Sequence, residues 1–170
     1  KGINMKKGIL NPNNYESEEF DIITSFEVIE HINNPIDELT NFHKLLRKEG
    51  LVYVTTPNFN SLLRYKLKAN YNVICYPEHL SYYTPRTLKK VFTLVGFSTN
   101  KIQSTGISLT RLKTSKGVSK QKYISKESDD EKIRGKIERK GHLQFLKRIV
   151  NGLLTLFGKG DSLKGYFIKN

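Results

Sequence analysis

Residues 20–35 read FDIITSFEVIEHINNP. Branched apolar residues after Asp21 give way to a polar cluster, and Pro35 ends the stretch. A short apolar run bounded by polar residues is typical of a buried β-strand. Apolar residues at helical spacing follow at once over 36–46. The order of strand, turn and helix therefore predicts an α/β unit with a parallel sheet.

The same patterns predict the remaining elements. Gly50 is predicted to be the C-cap of the helix that begins at Ile36. Thr84 suits the N-cap of a later helix, because Pro85 follows it at the first helical position. Residues 111–141 are polar and rich in Lys, Ser and Glu, which is typical of a mobile loop or an exposed helical hairpin. We expect them to be the most mobile part of the chain. Strands are predicted at 51–55, 97–104 and 163–168, with a further short strand at 3–6, and helical spacing recurs over 143–157.

Length and cysteine content bound the class of protein. A chain of 170 residues is long enough for one domain with an ordinary hydrophobic core. The single cysteine, Cys75, excludes an internal disulfide, which favours a reducing, cytoplasmic location.

The charge of the chain is strongly basic and unevenly distributed. The net charge is +13, and residues 111–170 contain 16 Lys and Arg against 6 Asp and Glu. Such asymmetry suits phosphate, nucleic acid or an anionic membrane, although a lysine-rich solvated surface has the same composition. The sequence contains no helix-turn-helix, RRM or zinc-finger spacing, which argues against specific reading of nucleic acid.

A polar cluster follows the first predicted strand, where open parallel sheets bind their ligands. Glu27, Glu30 and His31 are spaced i, i+3, i+4, so one helical turn would put them on one side. We take His31 and Glu30 as candidate catalytic residues, because the pKa of imidazole is naturally close to working pH. The alternatives are that both only cap the next segment, or that the three side chains bind a divalent cation. We assign no metal.

Residues 142–157 form an amphipathic pattern with Lys147 and Arg148 on the polar side. Such a helix can pack on the sheet as part of the core, which is the interpretation we prefer. It can also lie on an anionic membrane as a peripheral contact and approach a lipid-linked substrate.

Four phrases of the sequence carry a family resemblance. They are FDIITSFEVIEHINNP (20–35), LLRKEGLVYVTTPN (45–58), PEHLSYYTPRTLKKVFTLVGF (77–97) and GDSLKGYFIK (160–169), and together they cover about half of the chain. In this order they resemble the C-terminal two-thirds of a class I S-adenosyl-L-methionine (SAM)-dependent methyltransferase, in the branch that includes the ubiquinone-type O-methyltransferases.

The resemblance implies a partial Rossmann-like fold with a mostly parallel sheet and an antiparallel last strand. The family's strand order, 3-2-1-4-5-7-6, implies the order 4-5-7-6 for the four strands at 21–26, 51–55, 163–168 and 97–104. It also implies that residues 1–110 belong to the methyltransferase core, 111–160 form a basic helical insertion and 161–170 form the last core strand.

The resemblance also implies roles for individual residues. Residues after the family's fourth strand contact the cofactor, and residues after its third strand lie near the adenine. The cofactor-binding residues are therefore Ile9, Leu10, Ser25, Phe26 and Glu27, although Phe26 and Leu10 could instead be core residues. The residues on the acceptor side are His79, Tyr82 and Tyr83, for which ordinary packing is the alternative. Some ubiquinone-type relatives also bind a metal through a matching E-x-x-E-H.

One departure from the family is large. The Gly-rich turn that binds SAM is not in this sequence, because its one G-x-G, at 158–160, precedes a predicted strand instead of following one. We therefore expect that the chain is truncated before the family's third strand and that by itself it binds SAM weakly or not at all and is inactive. We also expect the open edge of strand 21–26 to be covered by residues 3–6 or by the same edge of a second copy, as in a homodimer.

The implied function is transfer of a methyl group from SAM to an oxygen or similar nucleophile of a small-molecule, sugar or lipid-linked acceptor. The alternative is a non-catalytic Rossmann-like module that binds phosphate or nucleic acid through its basic C-terminal half.

Overall fold

The computed structural model describes Gly2, Met5, residues 7–108, Arg111 and residues 141–170. Four strands and four α-helices lie within these residues, with three short 3-10 helices between them. The strands are β1 (Phe20–Phe26), β2 (Leu46–Pro57), β3 (Phe97–Thr105) and β4 (Ser162–Lys169). The α-helices are α1 (Pro35–Leu45), α2 (Leu62–Leu67), α3 (Pro85–Leu94) and α4 (Gly141–Phe157).

The strands form one mixed sheet in the order β1-β2-β4-β3. β1 and β2 run parallel, whereas β4 is antiparallel to both of its neighbours. This arrangement confirms the predicted α/β fold with an antiparallel last strand. It is also the order 4-5-7-6 that the family resemblance implied.

The core lies between the sheet and the helices α1 and α3. Leu39 and Phe42 of α1 and Leu88 and Phe92 of α3 are buried in one apolar cluster with side chains of the sheet. Phe92 stacks on Phe167 of β4 with their ring centroids 3.7 Å apart. The two helices therefore hold the sheet in place. The polar cluster noted in the sequence follows the carboxyl end of β1 in that sheet.

Helix α3 begins as the sequence predicts. The Thr84 hydroxyl accepts a hydrogen bond from the backbone N–H of Thr87, and the Thr87 hydroxyl accepts one from the backbone N–H of Thr84. This reciprocal capping box satisfies two backbone donors at the N-terminus of the helix. It fixes where the preceding loop, which contains His79 and Tyr82, ends.

The prediction that Gly50 caps α1 is wrong. The helix ends at Leu45 with Leu46 as its C-cap, and Gly50 lies inside β2. A Cβ atom at Gly50 would come within 2.6 Å of Leu46 Cγ and 3.0 Å of the Asp21 carbonyl oxygen. The Arg47 carbonyl oxygen would also lie 2.8 Å away. Glycine is therefore required by crowding within the start of β2 and against Asp21 of β1, where the pairing register shifts, and not by a helix end.

The preferred interpretation of residues 142–157 as a core helix is also wrong. Among the described residues of α4, only Leu154 is buried. The periodicity indicates one apolar face correctly, but most of that face lies away from the sheet.

Several predictions concern residues outside the described part of the chain. Ile3, Asn4 and Lys6 of the proposed first strand are among them, as is almost all of the segment 111–141. The short strand at 3–6 and the mobility of segment 111–141 therefore remain predictions. So does the division of the chain into a core (1–110), a basic helical insertion (111–160) and a last core strand (161–170).

We expect the outer edge of β1 to be covered by another strand. Among the described strands β1 pairs with β2 alone, and its Ile22 and Phe26 are 56% and 57% exposed. An unpaired apolar edge is a template for strand pairing. If a second copy covers it, Ile22→Lys should convert a dimer to a monomer in light scattering, whereas Leu94→Lys on α3 should not. A monomer with this edge open to solvent would contradict the expectation.

Candidate active site

The site is built where β1 ends. Glu27 adopts a left-handed backbone with a φ of 52°, and its N–H still donates to the Thr55 carbonyl of β2 at 3.0 Å. Residues Ile29–His31 then form a 3-10 helix. The turn directs the chain over the carboxyl ends of the parallel strands, where ligands bind in folds of this kind.

Glu30 joins three parts of the chain at this point. The residue is 2% exposed, and its carboxyl group accepts a hydrogen bond from the Thr56 hydroxyl at 2.9 Å. Its backbone carbonyl accepts from the N–H groups of Leu80 and Ser81 at 2.8 and 3.0 Å. The loop that carries His79 and Tyr82 is thereby held against the end of β1.

Two histidines are fixed in one tautomer by backbone carbonyls. Nδ1 of His31 lies 2.6 Å from the Glu78 carbonyl oxygen, and Nδ1 of His79 lies 2.7 Å from that of Val73. A carbonyl oxygen only accepts, so each Nδ1 must carry the proton. In the neutral ring the Nε2 atom is then a bare acceptor or ligand atom.

The two histidines converge on Glu30. Their rings are 4.8 Å apart, and Nε2 of His31 lies 4.0 Å from a carboxyl oxygen of Glu30. One ligand atom from each of Glu30, His31 and His79 lies within 4.8 Å of the others. Imidazole nitrogens and a carboxylate oxygen are a donor set for a divalent transition-metal ion. The same atoms can accept a proton from a bound hydroxyl group.

Glu27 does not join this cluster, contrary to the expectation that Glu27, Glu30 and His31 share one side of a helical turn. The left-handed conformation at Glu27 turns the chain before the 3-10 helix begins at Ile29. Desolvation raises the pKa of Glu27, and the nearby charge of Glu30 raises it further.

The acceptor-side residues separate into two groups. His79 and Tyr82 lie near each other, with ring centroids 6.5 Å apart, and Tyr82 packs on Phe59 at 5.3 Å. Tyr83 is instead 6% exposed and belongs to the hydrophobic core. It forms a parallel bridge with Asn58, which places it in register with the end of β2.

The predicted cofactor residues lie mostly along β1. Leu10, Ser25 and Phe26 line one cleft of about 570 Å³, together with Ile22, Val28 and Phe42 among others. A cleft of this size with a mainly apolar lining can hold an aromatic ring such as adenine. Ile9 is 94% exposed and does not line the cleft.

A family model described as a methyltransferase domain matches residues 5–101, more than half of the chain. The chain belongs to this methyltransferase domain family.

Individual relatives agree with this assignment. A 43-residue stretch is 42% identical to the ubiquinone biosynthesis O-methyltransferase of Glaesserella parasuis serovar 5, over 25% of this chain and 18% of that protein. A SAM-dependent methyltransferase structure from Archaeoglobus fulgidus matches with a TM-score of 0.54 and 14% identity, over 93% of this chain and 63% of the other. A SAM-dependent methyltransferase structure from Thermotoga maritima matches with a TM-score of 0.56 and 15% identity, over 92% of this chain and 58% of the other.

The two structures establish the Rossmann-like methyltransferase fold. The chain spans less than two thirds of the length of each of these relatives. The resemblance to class I SAM-dependent methyltransferases is thus confirmed at the level of family and fold.

Sequence reasoning missed two residues of this methyltransferase domain site. Thr56 supports the buried Glu30, and Phe59 supports Tyr82. Both follow the predicted second strand in the phrase TTPNF, at the same sheet edge as Glu30. The position of that phrase after a parallel strand was the available signal.

Glu27 provides a test of the electrostatics of the site. Its pKa is raised in the folded state, so its ionisation destabilises the fold as the pH rises through that pKa. Glu27→Gln should therefore raise the melting temperature at pH 7.5, and the gain should shrink as the pH falls toward 4.5. Glu49→Gln controls for the backbone, because Glu49 has a similar φ of 60°. An equal gain at both positions, or one independent of pH, would contradict the assignment.

Proposed function

We propose that this methyltransferase domain is the acceptor-side part of an enzyme that transfers a methyl group from SAM to an oxygen or similar nucleophile. The acceptor class is a small molecule, a sugar or a lipid-linked molecule. One observation carries the proposal. Nε2 of His31 is left free as a proton acceptor, 4.0 Å from a buried carboxyl group, at the carboxyl end of β1.

His31 acts as the general base in this proposal. When bound, SAM supplies a methyl group on a positively charged sulfur, which keeps the electron pair of the C–S bond on transfer. The acceptor oxygen forms its new bond to the methyl carbon while its proton passes to Nε2 of His31. A positioned base of this kind typically contributes about 10²–10⁴-fold to the rate.

Glu30 and Glu78 position that base. The Glu78 carbonyl holds the proton on Nδ1, and the Glu30 carboxyl group faces Nε2, where the transferred proton arrives. A negative group beside a forming imidazolium stabilises it. Glu30 is a positioning residue here, because one of its carboxyl oxygens accepts from the Thr56 hydroxyl and the other faces Nε2 of His31.

The two sides of the site have different chemistry, which suits two different ligands. Ser25 and Phe26, at the carboxyl end of β1, would hold the cofactor together with Leu10. His79 and Tyr82, with the ring of Phe59, would orient the acceptor. Flat aromatic side chains with polar atoms suit a planar or ring-shaped acceptor.

A divalent cation is the alternative occupant of the histidine cluster. Glu30, His31 and His79 would hold it, and it would polarise the acceptor oxygen and lower the pKa of its hydroxyl group. Nε2 of His31 cannot bind a cation and accept the proton at the same time. Removal of cations by EDTA therefore separates the two roles: loss of activity favours the cation, and unchanged activity favours the base.

The proposal is tested by methyl transfer in the protein at its full encoded length. SAM with a labelled methyl group is incubated with catechol, sugar and lipid-linked hydroxyl acceptors, and SAM binding is measured by calorimetry. Binding of SAM with label in one acceptor class supports the proposal. Failure to bind SAM, together with strongly salt-dependent binding of RNA or DNA, would instead support a non-catalytic binding module.

Substitution of His31 tests the role of its Nε2 atom. His31→Asn keeps a side-chain N–H that can donate to the Glu78 carbonyl but removes Nε2. It should lower turnover about 10²–10⁴-fold with little change in melting temperature. The measurement is kcat with the identified acceptor, alongside thermal unfolding.

The matched control is His43→Ala. His43 packs edge-on against Phe97 with ring centroids 5.2 Å apart, away from the site, so this variant should lower stability and leave turnover unchanged. Unchanged turnover in His31→Asn, with a lower melting temperature, would assign His31 a structural role only.

A further inference from the structure

Helix α4 is attached to the sheet by its polar side. The Thr155 hydroxyl donates to the Ser104 carbonyl at 3.0 Å and accepts from the Ser104 N–H at 3.2 Å. The Asn151 side-chain oxygen accepts from the N–H of Gly106 at 3.0 Å. These bonds fix the rotation of the helix about its own axis against β3.

The C-terminus of α4 is fixed as well. The N–H groups of Gly158 and Lys159 bond to the carbonyls of Thr155 and Leu154, which is a Schellman motif with Gly158 at a φ of 64°. The Asn58 side chain donates to the Gly158 carbonyl at 2.9 Å. The orientation of the helix is therefore set at both contacts.

This orientation turns the apolar face of α4 outward. At 100° per residue, seven large apolar side chains fall within an arc of about 140°. All seven are 40–75% exposed, which is an unusual amount of contiguous apolar surface for a helix face in contact with water. They are Phe145, Leu146, Ile149, Val150, Leu153, Leu156 and Phe157.

Cations border this face on both sides. Lys147 and Arg148 are exposed and lie about 60° beyond the two limits of the apolar arc. Residues 141–160 contain no Asp or Glu. No described helix, α4 included, is long and apolar enough to cross a bilayer.

We propose that the outer face of α4 binds an anionic lipid surface, with the helix lying in the plane of the interface. The convex apolar strip would enter the boundary between headgroups and acyl chains, and the flanking cations would reach the phosphates. Charge complementarity favours this occupant over a second copy of the chain, since a second copy would bring the same cations together.

Vesicle flotation with the full-length protein tests this proposal and is independent of methyl transfer. The wild type should float with vesicles of phosphatidylcholine and phosphatidylglycerol and not with phosphatidylcholine alone. Leu156→Glu should weaken binding about tenfold or more, because it removes a large apolar side chain from the interface. Leu94→Glu on α3 is the matched control, with 68% exposure against 75% for Leu156, and it should bind like the wild type.

The cations are tested in the same assay. Lys147→Glu with Arg148→Glu should weaken binding by more than about 25-fold, since each cation near an anionic surface contributes about fivefold. Lys89→Glu with Lys90→Glu on α3 makes the same change in net charge and should have a much smaller effect.

Three outcomes would overturn the proposal. The first is a wild type that does not float with anionic vesicles. The second is an equal loss of binding in the variants and their α3 controls. The third is a dimer in solution that Leu156→Glu dissociates while vesicle binding is unchanged, which would mean that a second copy covers the face.

Discussion

The arrangement of this site depends on one buried carboxyl group. Glu30 is 2% exposed, and a polar group at that depth is costly unless it is hydrogen-bonded. Thr56 at the end of β2 supplies that hydrogen bond, and the backbone of Glu30 binds the loop at Leu80 and Ser81. Leaving such an acceptor without a donor costs about 1–3 kcal/mol. The same constraint that holds β1, β2 and the loop together therefore brings His31 and His79 into contact.

A second buried residue connects this site to the rest of the sheet. The Asn58 side chain is completely buried and donates to the Ser104 hydroxyl and to the carbonyls of Gly158 and Gly160, over 2.7–3.0 Å. These partners lie at the end of β3 and between α4 and β4. One amide thus fixes the outward orientation of α4 and the sheet edge that carries the candidate site. Any surface to which α4 binds has a fixed orientation relative to that edge.

The sequence predicted those parts of the fold that local patterns determine. Strand β1, the Thr84 cap and the polar cluster at Glu30 follow from short-range periodicity, and the strand order came from the family resemblance. The prediction for Gly50 failed because glycine is needed there by crowding at the irregular start of β2, which local spacing does not reveal. The pairing of His31 with His79 was missed because it depends on carbonyls of a loop with no regular pattern. For α4, periodicity identifies an apolar face but not what covers it.

The most direct test of this account is the protonation state of the two imidazoles at the site. Long-range ¹⁵N–¹H correlation spectra of the protein at neutral pH distinguish the two neutral tautomers of histidine. His31 and His79 should both carry their proton on Nδ1, because Nδ1 of each faces a backbone carbonyl at 2.6 and 2.7 Å. A proton on Nε2 of His31 would leave no acceptor for the transferred proton and would rule out His31 as the general base.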